Sequence, residues 1–198
     1  DISPTDAAKI GLDSSICGNC PQRWFSGGAC YVNIGHAPLA IYKAYKRGLY
    51  PAFDPVLHSD YITGRKIRLG AYGDPAAAPF KVMDSIAKMG ISWTGYTHQI
   101  KHRAFDTRFI DLCMVSADSP KKAIKYQSMG ARTFRVAMEG DALAKNEVEC
   151  LADSKGIQCS DCMLCDGASK TSKNVALTVH GSRKSKFKTN LIKTLQVA

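Results

Sequence analysis

The amino-acid sequence predicts an α/β protein, built as a partial (β/α) barrel or as an open, mostly parallel sheet. Three observations support this fold class. Short apolar runs of strand length alternate with helical stretches of about ten residues, which is typical of parallel βαβ units. Most predicted strands end in a short polar loop. The chain has 198 residues, 45% of them hydrophobic, which is enough for one domain with its own core.

The elements follow in order along the chain. Residues 1–36 contain many Gly, Ser and Cys residues and predict irregular structure. Apolar residues at helical spacing, followed by glycine, predict helices at 39–47, 79–89 and 120–129. Apolar runs predict strands at 67–72, 91–96, 112–115, 133–138 and 175–179. We expect a single domain over 1–198, with metal-binding or cluster-binding loops at 1–36 and 140–172 and a basic segment at 182–198.

Polar side chains follow several of the predicted strands. Parallel strands bring their carboxyl ends to one edge, where both candidate architectures place their chemistry. The candidate catalytic residues at this edge are Asp74, His98 and His180. Asp74 can hold a substrate amine or cap the helix that follows it. Each histidine can bind a ligand or serve a purely structural role.

The C-terminal cysteines are the strongest motif. They are Cys150, Cys159, Cys162 and Cys165, with the spacing C-x8-C-x2-C-x2-C. Consecutive C-x2-C steps are typical of ferredoxin-type iron–sulfur loops. A zinc site more often takes two thiolates from each of two separated knuckles. The pattern therefore favours an iron–sulfur cluster, with a structural zinc site as the alternative.

A second group of cysteines lies near the N-terminus, at Cys17, Cys20 and Cys30. The pair Gly27-Gly28 would let the chain fold back toward a metal. Three thiolates leave one coordination position open, where chemistry can occur. This group would hold a second centre or complete a shared one. The eighth cysteine, Cys113, lies in an apolar run and is expected to be a buried small hydrophobic residue.

The cysteine spacing also bears on the redox state. Two-residue loops between cysteines make good chelates and poor structural disulfides, and a chain of this length needs no disulfides to build a core. We therefore expect reduced thiols as ligands.

The chain carries 27 Lys and Arg against 17 Asp and Glu, a net charge of +10. One basic group accompanies Tyr42, Tyr45 and Tyr50, and comprises Lys43, Lys46 and Arg47. A second crowds the C-terminal part of the chain, at Lys170, Lys173, Arg183, Lys184, Lys186, Lys188 and Lys193. Basic surface with aromatic rings suits a phosphate backbone and stacked bases, and nucleic acid is one candidate partner. The apolar runs are too short for a membrane span, so no membrane partner is expected.

Several motifs together resemble a known group of proteins. They are Cys17-Gly-Asn-Cys20-Pro, Cys30-Tyr-Val-Asn, Arg68-Leu-Gly-Ala-Tyr-Gly-Asp74-Pro, Trp93-Thr-Gly-Tyr-Thr-His98-Gln, Arg132-Thr-Phe-Arg135-Val and the closing cysteine loop. With these motifs the sequence resembles a group of uncharacterised tailed-phage and prophage proteins, similar to the phage gene product 88-like family. The resemblance covers most of residues 14–181. It implies a phage-encoded protein in the host cell cytoplasm, with the virion as the alternative location.

The order of parts also resembles radical S-adenosylmethionine enzymes. These combine a partial (β/α) barrel with an N-terminal three-cysteine 4Fe-4S loop, and some add a second cysteine-rich region at the C-terminus. The N-terminal spacing here is C-x2-C-x9-C, where that family has C-x3-C-x2-C. The resemblance implies S-adenosylmethionine as a second cofactor.

The sequence thus predicts a phage-encoded iron–sulfur protein of the 4Fe-4S type, acting as a redox protein with a redox partner or as a radical enzyme. The alternatives are a zinc-stapled nucleic-acid-binding module and a metal-stabilised structural protein of the virion.

Overall fold

The computed structural model describes residues 1–168 and 173–189. The chain divides into two compact units. Unit 1 is Asp1–His58 with the chain from His180 onward, and unit 2 is Ser59–Val179. The expectation of a single domain over 1–198 stays a prediction. Residues 169–172 and 190–198, which include Lys170 and Lys193 of the predicted basic surface, lie outside the described residues.

Unit 2 is built on parallel strands. In chain order they are β1 Lys66–Arg68, β2 Ser92–Thr94, β3 Tyr96–Thr97, β4 Met114–Ala117, β5 Thr133–Ala137, β6 Glu147–Glu149 and β7 Asn174–Thr178. β1 pairs with β2, and the other five form a sheet in the order β3-β4-β5-β7-β6. Every pairing is parallel. The predicted α/β class and the open parallel sheet are therefore confirmed.

Gly95 separates β2 from β3 and brings three segments together. Its N–H donates to the carbonyl of Cys165 (2.9 Å), and its carbonyl accepts from the N–H of Met114 (2.9 Å). A Cβ at this position would stand 2.8 Å from the sulfur of Cys113, closer than side-chain atoms pack. The residue between these strands must therefore be glycine if the segments are to approach this closely.

The helices of the described residues are short. They include α1 Pro4–Ile10, α2 Ser14–Cys17, α3 Ala37–Lys46, α4 Phe80–Met89, α5 Phe109–Leu112, α6 Pro120–Gln127, α7 Leu151–Ser154 and α8 Cys159–Cys162, and residues 184–189 are helical as well. Helix α6 shows why the local sequence folds as it does. Ser119 caps it by accepting from the N–H of Lys122 (3.3 Å), and Pro120 stands at its first position, where a missing N–H costs nothing.

The core of unit 2 lies on both faces of the sheet. On one face α6 packs Ala123 and Tyr126 against Val115 and Ala117. On the other face, side chains from five neighbouring strands pack against Cys165. We call this the cysteine face, and it comprises Tyr96, Met114, Phe134, Val148, Val175 and Cys165. The rings of Tyr96 and Phe134 are edge to face, 4.6 Å apart. One face thus carries a helix, and the other carries the C-terminal cysteines.

Unit 1 has very little apolar core. Among residues 1–58 and 180–189, its buried hydrophobic residues are Ala8, Ile34 and Phe187. Fourteen of the nineteen large hydrophobic side chains that are exposed in the described residues belong to it. Small units without a sufficient core usually need a disulfide, a metal or a partner for stability. All eight cysteines of the chain carry free thiols.

The sequence prediction missed the short helices α1, α2, α5, α7 and α8 and the strand β6. Helix α1 lies within the stretch predicted to be irregular, although Ser3 caps it by accepting from the N–H of Asp6 (3.2 Å) and Pro4 begins it. Strand β6 has only three residues, Glu147-Val-Glu149, and no apolar run. Its pairing with β7 is set by tertiary contacts. The three predicted helices and the five predicted strands overlap observed elements.

Candidate functional site

The N-terminal cysteines are gathered by a tight return of the chain. Cys17 ends α2, and the N–H of Cys20 donates to the carbonyl of Cys17 (3.2 Å). The chain then folds back so that the N–H of Cys30 donates to the carbonyl of Gln22 (3.0 Å). Gly28 makes this return tight, because a Cβ there would overlap the backbone of Gln22. The predicted tight return is therefore present at Gly28, and its relation to a metal stays a prediction.

The thiols of this N-terminal cysteine group lie within electrostatic reach of one another. Burial raises the pKa of the Cys17 thiol to about 12, and the charges of Cys20, Asp13 and Cys30 add to the rise. The positive charge of Arg23 acts in the opposite direction. The thiol of Cys17 therefore stays protonated at neutral pH, unless a cation displaces its proton.

Two arginines hold the loop around these cysteines. Arg23 pairs with the buried carboxylate of Asp13 (Nη1–Oδ1, 3.0 Å). Arg183 donates to the carbonyl of Gly28 (2.6 Å), and its guanidinium lies 3.7 Å from the ring centroid of Trp24. The indole N–H of Trp24 in turn donates to the carbonyl of Val32 (3.0 Å). Polar contacts therefore order a segment that has almost no apolar core.

Cys150 and Cys165 pack into the cysteine face, and Cys162 and Cys159 lie close enough to affect the pKa values of Cys165 and Tyr96, respectively. Cys150 directly follows β6, Cys159 and Cys162 begin and end α8, and Cys165 lies beyond it. Cys165 is buried, with 8% of its surface exposed, and Cys159 is exposed. Cys150 and Cys162 are half-buried. The four thiols thus present a gradient from the core to the surface.

Electrostatics link these thiols as well. Burial raises the pKa of the Cys165 thiol to about 12, and the charges of Cys150 and Cys162 contribute to the rise. A hydrogen bond from Tyr96 and the charge of Arg132 oppose it. Burial likewise raises the pKa of the Tyr96 hydroxyl, which therefore stays a hydrogen-bond donor.

The cysteines are neighbours and do not form a closed cage. Among residues 1–168 and 173–189, no three His, Cys, Asp or Glu side chains converge with the geometry of a metal site. The donor set still suits a thiophilic metal, since each group supplies at least three thiols and little other than sulfur. Basic side chains also lie close to the C-terminal cysteine group, where Lys66 pairs with Asp161 (3.7 Å) and the charge of Arg68 acts on Tyr96. Nearby positive charge stabilises thiolates.

Asp74 acts as a structural connector at the carboxyl edge of the sheet. Its Oδ1 accepts from the N–H of Ala76 (3.0 Å), which caps the turn at Pro75–Ala77. Its Oδ2 accepts from the N–H of His98 (2.8 Å) and from the side chain of Gln99 (3.3 Å). The capping alternative is therefore the one that the structure contains, and the same carboxylate fixes the backbone at His98.

His98 faces a carboxylate that the list of candidate catalytic residues did not include. Its Nε2 lies 3.7 Å from Oδ1 of Asp118, and Oδ2 of Asp118 pairs with Lys122 (2.9 Å). Burial would raise the pKa of Asp118, but the hydrogen bond and charge of His98 and the charge of Lys122 outweigh it and hold that pKa well below its usual range. The signal for this group was present in the sequence, since Asp118 follows a predicted strand and Lys122 stands four residues later.

The third candidate catalytic residue, His180, is exposed and belongs to unit 1, whereas Asp74 and His98 belong to unit 2. Cys113 is fully buried beside Leu69 and Ala87, as expected for a small hydrophobic residue. Burial raises the pKa of its thiol.

No described helix is long and apolar enough to cross a membrane. Comparison of the chain with protein-family models, curated proteins and solved structures yields no match. The similarity to phage proteins and to radical S-adenosylmethionine enzymes therefore stays a prediction.

Proposed function

We propose that this protein binds an iron–sulfur cluster, of the 4Fe-4S type, through cysteine thiolates. The observation that carries the proposal is the grouping of seven of the eight cysteines around two places in the fold. In each place at least two cysteines lie close enough to a third to help raise the pKa of its thiol. Cys150, Cys159, Cys162 and Cys165 are the full ligand set, and the N-terminal cysteine group would hold a second centre.

The make-up of unit 1 supports metal binding in particular. A unit whose described part has three buried hydrophobic residues gains little stability from apolar burial there, since such burial contributes about 25 cal/mol per Å². Coordination of a metal by thiolates supplies folding free energy directly, about 10–16 kcal/mol for structural zinc in small peptides. The N-terminal cysteine group lies in unit 1, where metal coordination would compensate for the small apolar core.

Iron is favoured over zinc by the C-terminal spacing, where three cysteines lie within the seven residues 159–165. Anaerobically purified protein should be brown and should contain iron and acid-labile sulfide. Cys162→Ala should lower the iron content of the C-terminal group. Cys113→Ala is the matched control, because Cys113 is buried in a separate apolar cluster, and it should keep the wild-type iron content.

Each outcome of this experiment is decisive. Zinc without sulfide would replace the iron proposal by the zinc-stapled alternative. Protein without bound metal, after purification and after anaerobic reconstitution with iron and sulfide, would remove metal binding as the function. Equal loss of iron in Cys162→Ala and Cys113→Ala would show that the C-terminal group is not the ligand set.

An iron–sulfur centre supports either electron transfer or radical chemistry. The three thiols of the N-terminal cysteine group would leave one position for a ligand from outside the group, as S-adenosylmethionine binding requires. Reduced, loaded protein should therefore be assayed for 5′-deoxyadenosine formation from S-adenosylmethionine. Product would support an enzyme, and its absence from a fully loaded sample would leave electron transfer with a redox partner.

Nucleic-acid binding is a second candidate function, supported by the surface of α3. Lys43 and Arg47 form no ion pair with a described residue, while Lys46 pairs with Asp1 (3.0 Å). Tyr45 and Tyr50 are 59% and 51% exposed, so their rings are free to stack on bases. Binding of a labelled single-stranded oligonucleotide should weaken steeply with added salt. Charge reversal at Lys43 and Arg47 should abolish that binding, and unchanged binding would contradict this candidate.

A further inference from the structure

We propose that Arg132 is the positioning residue of the C-terminal cysteine group, holding residues 164–167, the anchor segment, so that Cys165 is fixed before any metal binds. The inference deepens the proposed function and rests on it only in treating Cys165 as a ligand. Arg132 lies just before β5, on the same side of the sheet as Phe134. Only 4% of its surface is exposed.

The Arg132 guanidinium forms hydrogen bonds to the anchor segment on both sides of Cys165. It donates to the carbonyl of Leu164 (2.8 Å) before the cysteine and to Oδ1 of Asp166 (2.8 Å) after it. Two further bonds reach the carbonyls of Gly167 and Lys173. Four acceptors around one planar group fix orientation as well as position, because the guanidinium donors form a rigid fork.

The backbone of the anchor segment is held independently at two more points. The carbonyl of Cys165 accepts from the N–H of Gly95 (2.9 Å), and the N–H of Ala168 donates to the carbonyl of Ile110 (2.9 Å). Gly167 has φ +80°, and a Cβ there would overlap the backbone of Asp111. Each residue of Cys165-Asp-Gly therefore makes a specific contact: the Cys165 carbonyl with Gly95, the Asp166 carboxylate with Arg132, and Gly167 with the backbone of Asp111.

These contacts give the four thiols unequal roles. Cys165 is the buried ligand whose position is set in advance by Arg132, and Cys159 is the exposed ligand on the four-residue helix α8. Preorganisation of one ligand lowers the ordering cost of binding for the others. A lysine at position 132 would keep the positive charge but could not reach the four acceptors together, so Arg132→Lys separates positioning from charge.

The test measures how fast each cysteine reacts with N-ethylmaleimide in the reduced, chelator-treated full-length chain, using peptide mass spectrometry. Far-UV circular dichroism before and after chelation checks that the chain is folded. In the wild type, Cys165 should react at least tenfold more slowly than Cys159. Arg132→Lys should accelerate the reaction of Cys165 at least tenfold. Arg135→Lys is the matched control, because Arg135 is an equally buried arginine on the opposite face, and it should change the Cys165 rate less than twofold.

The proposal would be overturned if Cys165 in Arg132→Lys reacted with N-ethylmaleimide at a rate within twofold of the wild-type rate. It would also be overturned if Arg135→Lys accelerated the reaction of Cys165 as much as Arg132→Lys does. If Arg132→Lys does not fold, Asp166 decides the question. Asp166→Ala, which removes an acceptor, should accelerate Cys165 at least threefold relative to Asp166→Asn, which keeps one, and equal rates would overturn the proposal. Metal content of the wild type is measured separately. A wild type that binds no metal would refute the proposed function and leave the labelling result standing.

Discussion

The ion pair between Arg135 and Glu147 offers the sharpest test of how unit 2 is held together. Side-chain exposure is 1% for Arg135 and 0% for Glu147. Nε and Nη2 of Arg135 both bond the carboxylate, at 2.7–3.1 Å, and Nη2 also donates to the carbonyl of Ala142 (3.1 Å). The pair ties β5 to β6, and β6 leads directly into Cys150.

Arg135→Met leaves the carboxylate of Glu147 buried without its guanidinium partner, although it still accepts from the N–H of Ala144 (2.8 Å). Removing one partner of a buried pair costs about 3–5 kcal/mol. For a chain of this size, 1 kcal/mol corresponds to a shift of about 2–4 °C in Tm. We therefore expect a fall of about 6–20 °C, measured by circular dichroism on heating. The double variant Arg135→Met/Glu147→Leu should recover most of the loss, since an apolar pair needs no charge compensation.

The same pair has a defined pH dependence. Burial would raise the pKa of Glu147, but the hydrogen bonds from Arg135 and Ala144 outweigh it and lower the pKa. The stabilisation is therefore complete above the unfolded pKa, about 4.3, and is lost as the pH falls through the lower folded value. Acidification from pH 7 to pH 3 should destabilise the wild type more than the double variant. A fall in Tm below about 2 °C for Arg135→Met, or equal acid sensitivity of the two proteins, would refute this reasoning.

Three further predictions concern the candidate sites. Gly28→Ala should destabilise unit 1 by about 3 kcal/mol, because the new Cβ overlaps the backbone of Gln22. Gly27→Ala meets no atom within 4 Å and should cost only the strain of φ +66°, about 1 kcal/mol; equal denaturant midpoints for the two variants would contradict this. Asp118→Asn should lower the free energy of unfolding by about 1–3 kcal/mol at pH 7. The folded-state pKa of Asp118 is lowered, so its stabilising effect is lost in acid and the difference between the two proteins should shrink below about pH 4; a difference independent of pH would count against this. Asp74→Ala should lower the free energy of unfolding in urea by about 1–3 kcal/mol, because the cap and the hydrogen bond to the backbone N–H of His98 are lost. Asp74→Asn should lose less than half of that, and equal losses would argue against the hydrogen bonds as the cause.

Local sequence was sufficient for most of the sheet. The apolar runs at 133–138 and 175–179 became β5 and β7 with shifts of at most one residue at either end. Strand β6 could not be predicted, because Glu147-Val-Glu149 carries no apolar run of its own. It is a strand because β7 lies beside it and because the buried Arg135 requires a carboxylate there.

The candidate site was predicted unevenly. The two cysteine groups follow from spacing, and burial of Cys113 follows from its apolar neighbours. The roles of Asp74 and Arg132 do not follow, because their partners are distant in sequence. Asp74 bonds the backbone of His98, 24 residues away, and Arg132 bonds Asp166, 34 residues away.

Local sequence is enough to predict the alternation of strands and helices, the turns at glycine and the grouping of the cysteines, because each depends on residues that are near one another along the chain. The tertiary structure alone decided which thiol is buried, which arginine holds it and which carboxylate faces His98. Those outcomes depend on which strands lie side by side, and pairing across the sheet is a long-range choice that balances burial of apolar and charged groups over the whole unit.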